Sequence, residues 1–291
     1  PCLGSCSSWG ADDLGFNDFL FHPLGTGWHL DRRRFDAMLL EEVRAAGVNL
    51  REACFDLHDP PRARFTVDAT GSEAIVARSR GARRRFIDRL ICVSAFFRWS
   101  NAASLTRLTM LEAADDGWWY AARVPNDEIV VAFASDAENI RRLDATQPRT
   151  WRTMLANTRH LAAALVDCSF IEETLRASHA PSFILDRTAG ENWLAAGDAA
   201  SAYDPISAGG VYKALDDGLR AADAITAALG GDSAAMDGYE QSVRTRFEGY
   251  LANRNYFYGV EQRFPNSEFW SRRRGVAGVG KPPAAIPLHL E

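Results

Sequence analysis

The sequence predicts an α/β fold with an antiparallel sheet inserted between strand–helix units. Three observations carry that prediction. Strand-to-helix transitions occur near both ends, around Asp31 and around Asp198. Between them lie successive runs rich in Val, Ile, Phe, Trp and Tyr, separated by turn residues. The 291 residues, 47% of them hydrophobic, suffice for one large domain or two interleaved ones.

Taken in order, "FNDFLFHPLGTGWHL" reads as two short strands around a Gly-rich turn. "DRRRFDAMLLEEVRAAGVNL" places Phe35, Met38, Leu39 and Val43 at helical spacing, with Gly47 as its stop. "ARFTVDATGSEAIVAR" predicts a buried strand ending in a small-residue turn, and the basic run "RSRGARRR" a solvated surface. "RLICVSAFFRW", "TRLTMLEAADDGWWYAARVP" and "EIVVAFASD" predict antiparallel strands with turns at Asp115–Gly117 and Pro125–Asp127. "TWRTMLANTRHLAAALV" predicts one amphipathic helix. "ENWLAAGDAA" returns to a strand, and "GGVYKALDDGLRAADAITAAL" predicts a helix ended by Gly230 and Gly231. Helical, aromatic sequence follows to about residue 270, then an irregular Gly/Pro-rich tail.

Composition narrows the function. A net charge of −5 argues against nucleic acid as the main partner. No apolar run is long enough for a membrane span, and no secretory signal is visible. The five cysteines, Cys2, Cys6, Cys54, Cys92 and Cys168, predict neither a disulfide framework nor a zinc site. Reduced thiols point to a cytoplasmic protein.

The chemistry concentrates in "WLAAGDAASAYDPISAGGVYKAL", residues 193–215. Asp198 follows an apolar strand, where ligands of open α/β sheets bind, and its carboxylate can accept hydrogen bonds from sugar-type hydroxyls. Pro205 fixes the backbone before the helix, and Gly209 and Gly210 remove side chains so that a planar ring can lie on the main chain. The helix start stabilises negative charge on that ring.

These residues resemble the second flavin fingerprint of the flavin-dependent monooxygenase and halogenase superfamily, carried by "GDAASAYDPISAGGVYKALDDGLRAADAI". The resemblance implies that Asp198 contacts the ribityl chain of FAD and that Pro205, Gly209 and Gly210 line its isoalloxazine. "GWHLDRRRFDAMLLEEVRAAGV" is similar to the family's strand–Arg–helix unit, which implies a cofactor role for Arg32, and "VDATG" is similar to the turn near the nucleotide. "DDGWWYAARVPNDEIVVAFASD" and "YFYGVEQRFPNSEFWSRR" resemble the branch that modifies side chains of partner proteins, including maturases of quinohemoprotein amine dehydrogenase and of tryptophylquinone oxidases. The Gly-x-Gly-x-x-Gly turn that opens such folds does not occur, so a further βαβ unit is expected before Pro1. The halogenase Trp-x-Trp-x-Ile-Pro signature is replaced by "WWYAARVP".

By this resemblance the fold holds an FAD-binding Rossmann-like domain from residues 1–80 and 180–235, an antiparallel-sheet substrate domain over 81–179 and a helical region over 236–291. The implied activity is FAD-dependent monooxygenation, through a peroxyflavin, of an aromatic side chain (Trp) in a partner protein or peptide during quinone cofactor maturation. Molecular oxygen is the co-substrate, and NAD(P)H or a separate reductase supplies electrons. Neither nucleic acid nor membrane is an expected partner. Halogenation, isoprenoid reduction and a non-catalytic flavin-fold assembly subunit are the competing readings. No catalytic residue and no metal ligand is assigned. His22 and His29 are either acid–base groups or surface or hydrogen-bonded core histidines. Phe97, Trp118, Trp119 and Tyr120, with Phe96 and Trp99, form either the wall of a substrate cavity or the core of the sheet. Arg263, Trp270, Arg272 and Arg273 form either a docking surface or a helical cap over the cofactor domain with a solvated basic end.

Overall fold

A computed structural model describes residues 1–19, 23, 25–58, 62–99 and 107–274. In chain order the elements are β1 (Gly4–Ser8), β2 (Gly15–Asp18), α1 (Arg32–Ala45), β3 (Thr66–Asp68), α2 (Ile75–Ser79), β4 (Arg84–Arg98), β5 (Leu108–Ala114), β6 (Gly117–Val124) and β7 (Glu128–Asp136). There follow α3 (Ala137–Arg142), α4 (Pro148–Ala156), α5 (His160–Ala164), β8 (Ser169–Leu185), β9 (Ala189–Gly190), β10 (Trp193–Ala195), β11 (Ser201–Ala202), α6 (Gly210–Leu229), α7 (Ala235–Val260) and α8 (Glu268–Arg273). The architecture is mixed α/β and rich in antiparallel pairing, as the sequence predicts.

The chain forms two compact units. Among the described residues, the first comprises Pro1–Cys54, Ile91–Ser178 and Val260–Arg273, the second Phe55–Leu90, His179–Gly259 and Arg274. Strands β4 and β8 each contribute one end to either unit.

In the first unit the strand order is β2-β1-β5-β6-β7-β4-β8. β5, β6 and β7 form an antiparallel meander through the two predicted turns, while β1 runs parallel to β5. Side chains alternate across a pleated strand. Met110, Trp119, Ala121, Val131, Phe133, Val93, Ala95 and Phe97 therefore share one face and build the core with Trp151 and Leu155 of α4.

Two sequence expectations change here, one strand is added, and the C-terminal residues find their place. The predicted helix over "TWRTMLANTRHLAAALV" is two helices, α4 and α5. The buried carboxylate of Glu112 causes the break: it accepts hydrogen bonds from the N–H groups of Arg159 (2.6 Å), His160 (3.0 Å) and Leu161 (2.8 Å), so a new helix starts there. Strand β8 is an addition to the expected elements; its 17 residues include Glu172, Glu173 and Pro181, which depress strand propensity. Of the two strands expected in "FNDFLFHPLGTGWHL", Gly15–Asp18 forms one, and Gly27 makes only a bridge with Cys2; residues 20–22 and 24 lie outside the described residues. The C-terminal Trp270 and Arg273 are buried, so α8 packs as a cap of this unit: the Trp270 indole donates to the Ala114 carbonyl, and Arg273 pairs with Asp136.

In the second unit β3 and β10 pair in parallel and β9 closes antiparallel, while β11 adds to the far end of β8. Phe183, Leu185, Trp193 and Leu194 pack with a set of alanines and with Tyr239 and Val243 of α7. Small side chains let α6 lie close beneath the turn after β10.

Candidate flavin-binding site

Residues 197–210 form a stepped loop in the second unit. β10 ends at Ala195, and a short 3₁₀ turn, Gly197–Ala199, carries Asp198 outward while its neighbours Gly197 and Ala199 are buried. Gly197 has φ +60°, a left-handed conformation that glycine adopts without steric cost. Both of its main-chain polar groups are held by α6. Its N–H donates to Asp217 Oδ2 at 3.0 Å, and its carbonyl accepts from Lys213 Nζ at 2.7 Å.

The second step is anchored by Asp204. This buried carboxylate accepts from the Ile206 N–H (3.0 Å) and the Tyr258 hydroxyl (2.8 Å), and Arg254 lies at 3.4 Å. The Asp204 N–H donates to the Tyr250 hydroxyl at 2.8 Å. Burial pushes the Asp204 carboxyl above the ordinary range; Arg254 and the two hydrogen bonds oppose the rise. Pro205 then opens a 3₁₀ turn, and Ala208 closes it in a left-handed conformation with φ +50°. Such a conformation is unfavourable for a residue with a Cβ, by about 1 kcal/mol or more.

The outcome is a ledge. Pro205, Ser207, Ala208 and Gly210 are exposed and Gly209 is half-buried. A Cβ added at Gly210 would meet nothing within 4 Å, and one at Gly209 would meet only Ser207, at 3.7 Å. The protein's own packing therefore does not require glycine at 210. α6 begins at Gly210 and runs 20 residues, so its unbonded N–H groups and positive dipole end lie along the ledge.

Asp198, Pro205, Gly209 and Gly210 thus come together in one unit. Arg32 belongs to the other unit: it is the first residue of α1, solvent-exposed, and pairs with Asp36 at 3.4 Å, while Asp31 caps the helix by accepting from the Arg33 and Arg34 N–H groups.

The aromatic candidates divide by the pleat of β6 and β4. Trp119 and Phe97 point into the core beside Trp151, with ring centroids 5.2 and 6.1 Å away. They are packing residues of the first unit. Trp118 and Tyr120 lie on the opposite face. Trp118 is buried against Trp9. Tyr120 is half-buried and pairs in register with Leu111, which in turn pairs with Ser7; these three and Phe96 form a partly open sheet face. Burial pushes the Tyr120 phenol up to about 12, so it stays protonated at neutral pH.

His29, also half-buried, reaches Thr109 Oγ1 at 2.9 Å on this face, and burial lowers its pKa. His22 lies outside the described residues. Lys213, Asp217 and Tyr258 join the site only in the folded chain. A Lys and an Asp four residues apart on a helix is a visible signal, but it reads as a surface ion pair.

The fold is that of flavin-dependent halogenases and of a related peptidyl tryptophan dihydroxylase. The halogenase CmlS superimposes with a TM-score of 0.80 at 24% identity, covering 95% of this chain and 56% of CmlS. The peptidyl tryptophan dihydroxylase QhpG, essential for tryptophylquinone cofactor biogenesis, gives a TM-score of 0.65 at 23% identity, covering 94% of this chain and 64% of QhpG. In sequence the chain is similar to LodB of Marinomonas mediterranea, provisionally named an FAD-dependent oxidoreductase, at 26% identity over 303 residues, 96% of this chain and 80% of LodB. It is also 21% identical to the tryptophan 2-halogenase of Chondromyces crocatus, of which it spans about half (53%). No family model matches the chain.

Proposed function

We propose that this protein is an FAD-dependent monooxygenase that hydroxylates an aromatic side chain, a tryptophan, within a partner protein or peptide. The observation that carries the reading is the exposed main-chain ledge at Pro205–Gly210 beside Asp198, with open space where a Gly210 Cβ would stand. These residues fit the flat ring and ribityl chain of FAD. Asp198 would accept hydrogen bonds from ribityl hydroxyls, and the start of α6 would stabilise negative charge on the pyrimidine edge. Bound FAD supplies the activation of molecular oxygen, with electrons from NAD(P)H or a separate reductase. In the first unit, the half-open sheet face bearing Tyr120, Leu111 and Phe96 would receive the substrate ring, with the Tyr120 hydroxyl as a neutral donor.

The similarity to LodB favours an FAD-dependent oxidoreductase, and the likeness to the peptidyl tryptophan dihydroxylase QhpG favours hydroxylation of a peptidyl substrate. Halogenation is the second reading, favoured by the fold likeness to CmlS. One experiment separates them. The purified protein is supplied with FAD, a reductant, oxygen and chloride or bromide, and incubated with tryptophan-containing peptides and with free tryptophan. Mass gain of oxygen on a peptide supports the proposal. Gain of halogen supports the second reading, and failure to bind FAD removes both.

A further inference from the structure

We infer that Lys213 and Asp217 are the positioning pair of the cofactor turn, acting on the ligand through Asp198. This rests on the reading of residues 197–210 as a flavin site. The two side chains lie one helical turn apart on α6 and are both buried, with relative exposures of 5% and 1%. Their heads meet at 3.0 Å. Together they close a ring around one residue: the Gly197 N–H donates to Asp217 Oδ2, and Lys213 Nζ donates both to that same oxygen and to the Gly197 carbonyl. The other oxygen of Asp217 is taken by Arg246. The ammonium also faces the Tyr203 ring, 5.1 Å from its centroid, and Tyr203 is itself stacked on Tyr250 at 4.1 Å.

Burying a Lys–Asp pair is costly, and a packed apolar pair would serve stability as well. The pair is placed where a general stabiliser would gain nothing special, on the two peptide groups that flank a left-handed glycine. Fixing both groups fixes the direction in which Asp198 leaves the turn. The Lys213 ammonium and the Asp198 carboxylate also attract each other through space. Burial lowers the Lys213 pKa, and Asp217 and Asp198 oppose that fall. The charged groups facing Lys213 are therefore Asp217, Asp198 and Arg246.

A double-mutant cycle on FAD affinity tests the inference. Lys213→Met, Asp198→Asn and the double variant are compared with the wild type by fluorescence titration with FAD, and the folding of each ligand-free protein is monitored by thermal melting. Lys213→Met should weaken FAD binding about tenfold or more, the scale of a lost hydrogen bond to a charged group. In the Asp198→Asn background the same change should have little further effect, because its action passes through Asp198. Equal fold-losses in both backgrounds, or no loss in either, would overturn the inference while leaving the flavin reading intact. A wild type that binds no FAD would remove the flavin reading itself. Should Lys213→Met not fold, Asp217→Asn replaces it in the same cycle, with the same two outcomes.

Discussion

Tyr258 donates its hydroxyl to the buried carboxylate of Asp204 at 2.8 Å, with the Arg254 guanidinium over the Tyr258 ring at 4.6 Å. The residue that looks like part of a ligand motif, Asp204 before Pro205, is thus tied to α7. Its carboxylate holds the ledge in place and does not reach solvent. Tyr258→Phe leaves one lone pair of a buried carboxylate unpaired and should cost about 1–3 kcal/mol in unfolding free energy. Asp204→Ala should cost more, about 3–5 kcal/mol, because it also strips Arg254 of a partner. Urea denaturation of the two variants checks the order; a Tyr258→Phe protein as stable as wild type would show that the hydroxyl is dispensable.

At Gly210 the expectation is the reverse. A methyl group there touches no other part of the protein, and replacing a helical glycine typically adds up to about 1 kcal/mol of stability. Gly210→Ala should therefore melt at or slightly above the wild-type temperature. Its affinity for FAD should fall by about 1–3 kcal/mol, since the Cβ would press on a ring lying against the main chain. Calorimetric melting and flavin titration of the same preparation read the two effects separately. Unchanged FAD affinity would mean that the ring does not lie there.

Adjacent residues of β6 should behave differently because they face opposite sides of the sheet. Trp119 is 1% exposed and its ring centroid sits 4.8 Å from that of Phe133. Trp119→Ala should cost about 3–5 kcal/mol. Tyr120→Phe keeps the ring on its half-open face and should change stability by about 1 kcal/mol or less. If that face receives the substrate, Tyr120→Phe should instead raise KM for the aromatic peptide. Parallel denaturation and steady-state measurements on the two variants make the comparison.

The sequence showed which segments are strands more clearly than what each strand faces. β5, β6 and β7 were legible because aromatic and β-branched residues fill them and Asp–Gly and Pro–Asn–Asp turns separate them. The direction of Trp119 was not, since "WWY" offers an aromatic ring to both faces and only the partner strands decide. α1 was legible from its spacing, yet the structure buries none of its residues, and Met38 and Val43 are exposed. Periodicity reports an amphipathic helix without saying what covers its apolar side. The split between α4 and α5 depends on Glu112, 47 residues upstream of Arg159, and no local pattern reveals a long-range cap of that kind. Within the candidate site, Asp198 and the glycine pair were visible because glycine and proline have few uses. Lys213 and Asp217 stayed hidden because nothing in a sequence distinguishes a buried ion pair from the common exposed one.

Glu261 should make the first unit sensitive to acid. Its carboxylate is fully buried and accepts the Gly10 N–H at 2.8 Å and Arg263 Nη2 at 2.6 Å, while Arg263 also reaches Asp12 at 2.9 Å and the Ser8 carbonyl at 3.1 Å. The pair thereby fastens the turn at Gly10, where a Cβ would collide with the Val260 carbonyl at 2.9 Å. Burial alone would raise the Glu261 pKa, but the hydrogen bonds from Arg263 and Gly10 outweigh it and hold it below the ordinary value. A carboxyl whose pKa is lower in the folded than in the unfolded chain contributes stability that is complete above the unfolded value, about 4.3 for Glu. That contribution is lost as the pH falls through the folded value. Wild-type stability should thus fall as the pH drops below the unfolded value of about 4.3. Glu261→Gln should be less stable at neutral pH, because Arg263 loses its buried charged partner and keeps only the exposed Asp12, and its stability should fall less steeply over the same acid range. Urea midpoints measured across that range decide the matter: parallel profiles for the two proteins would mean that Glu261 does not carry the acid transition.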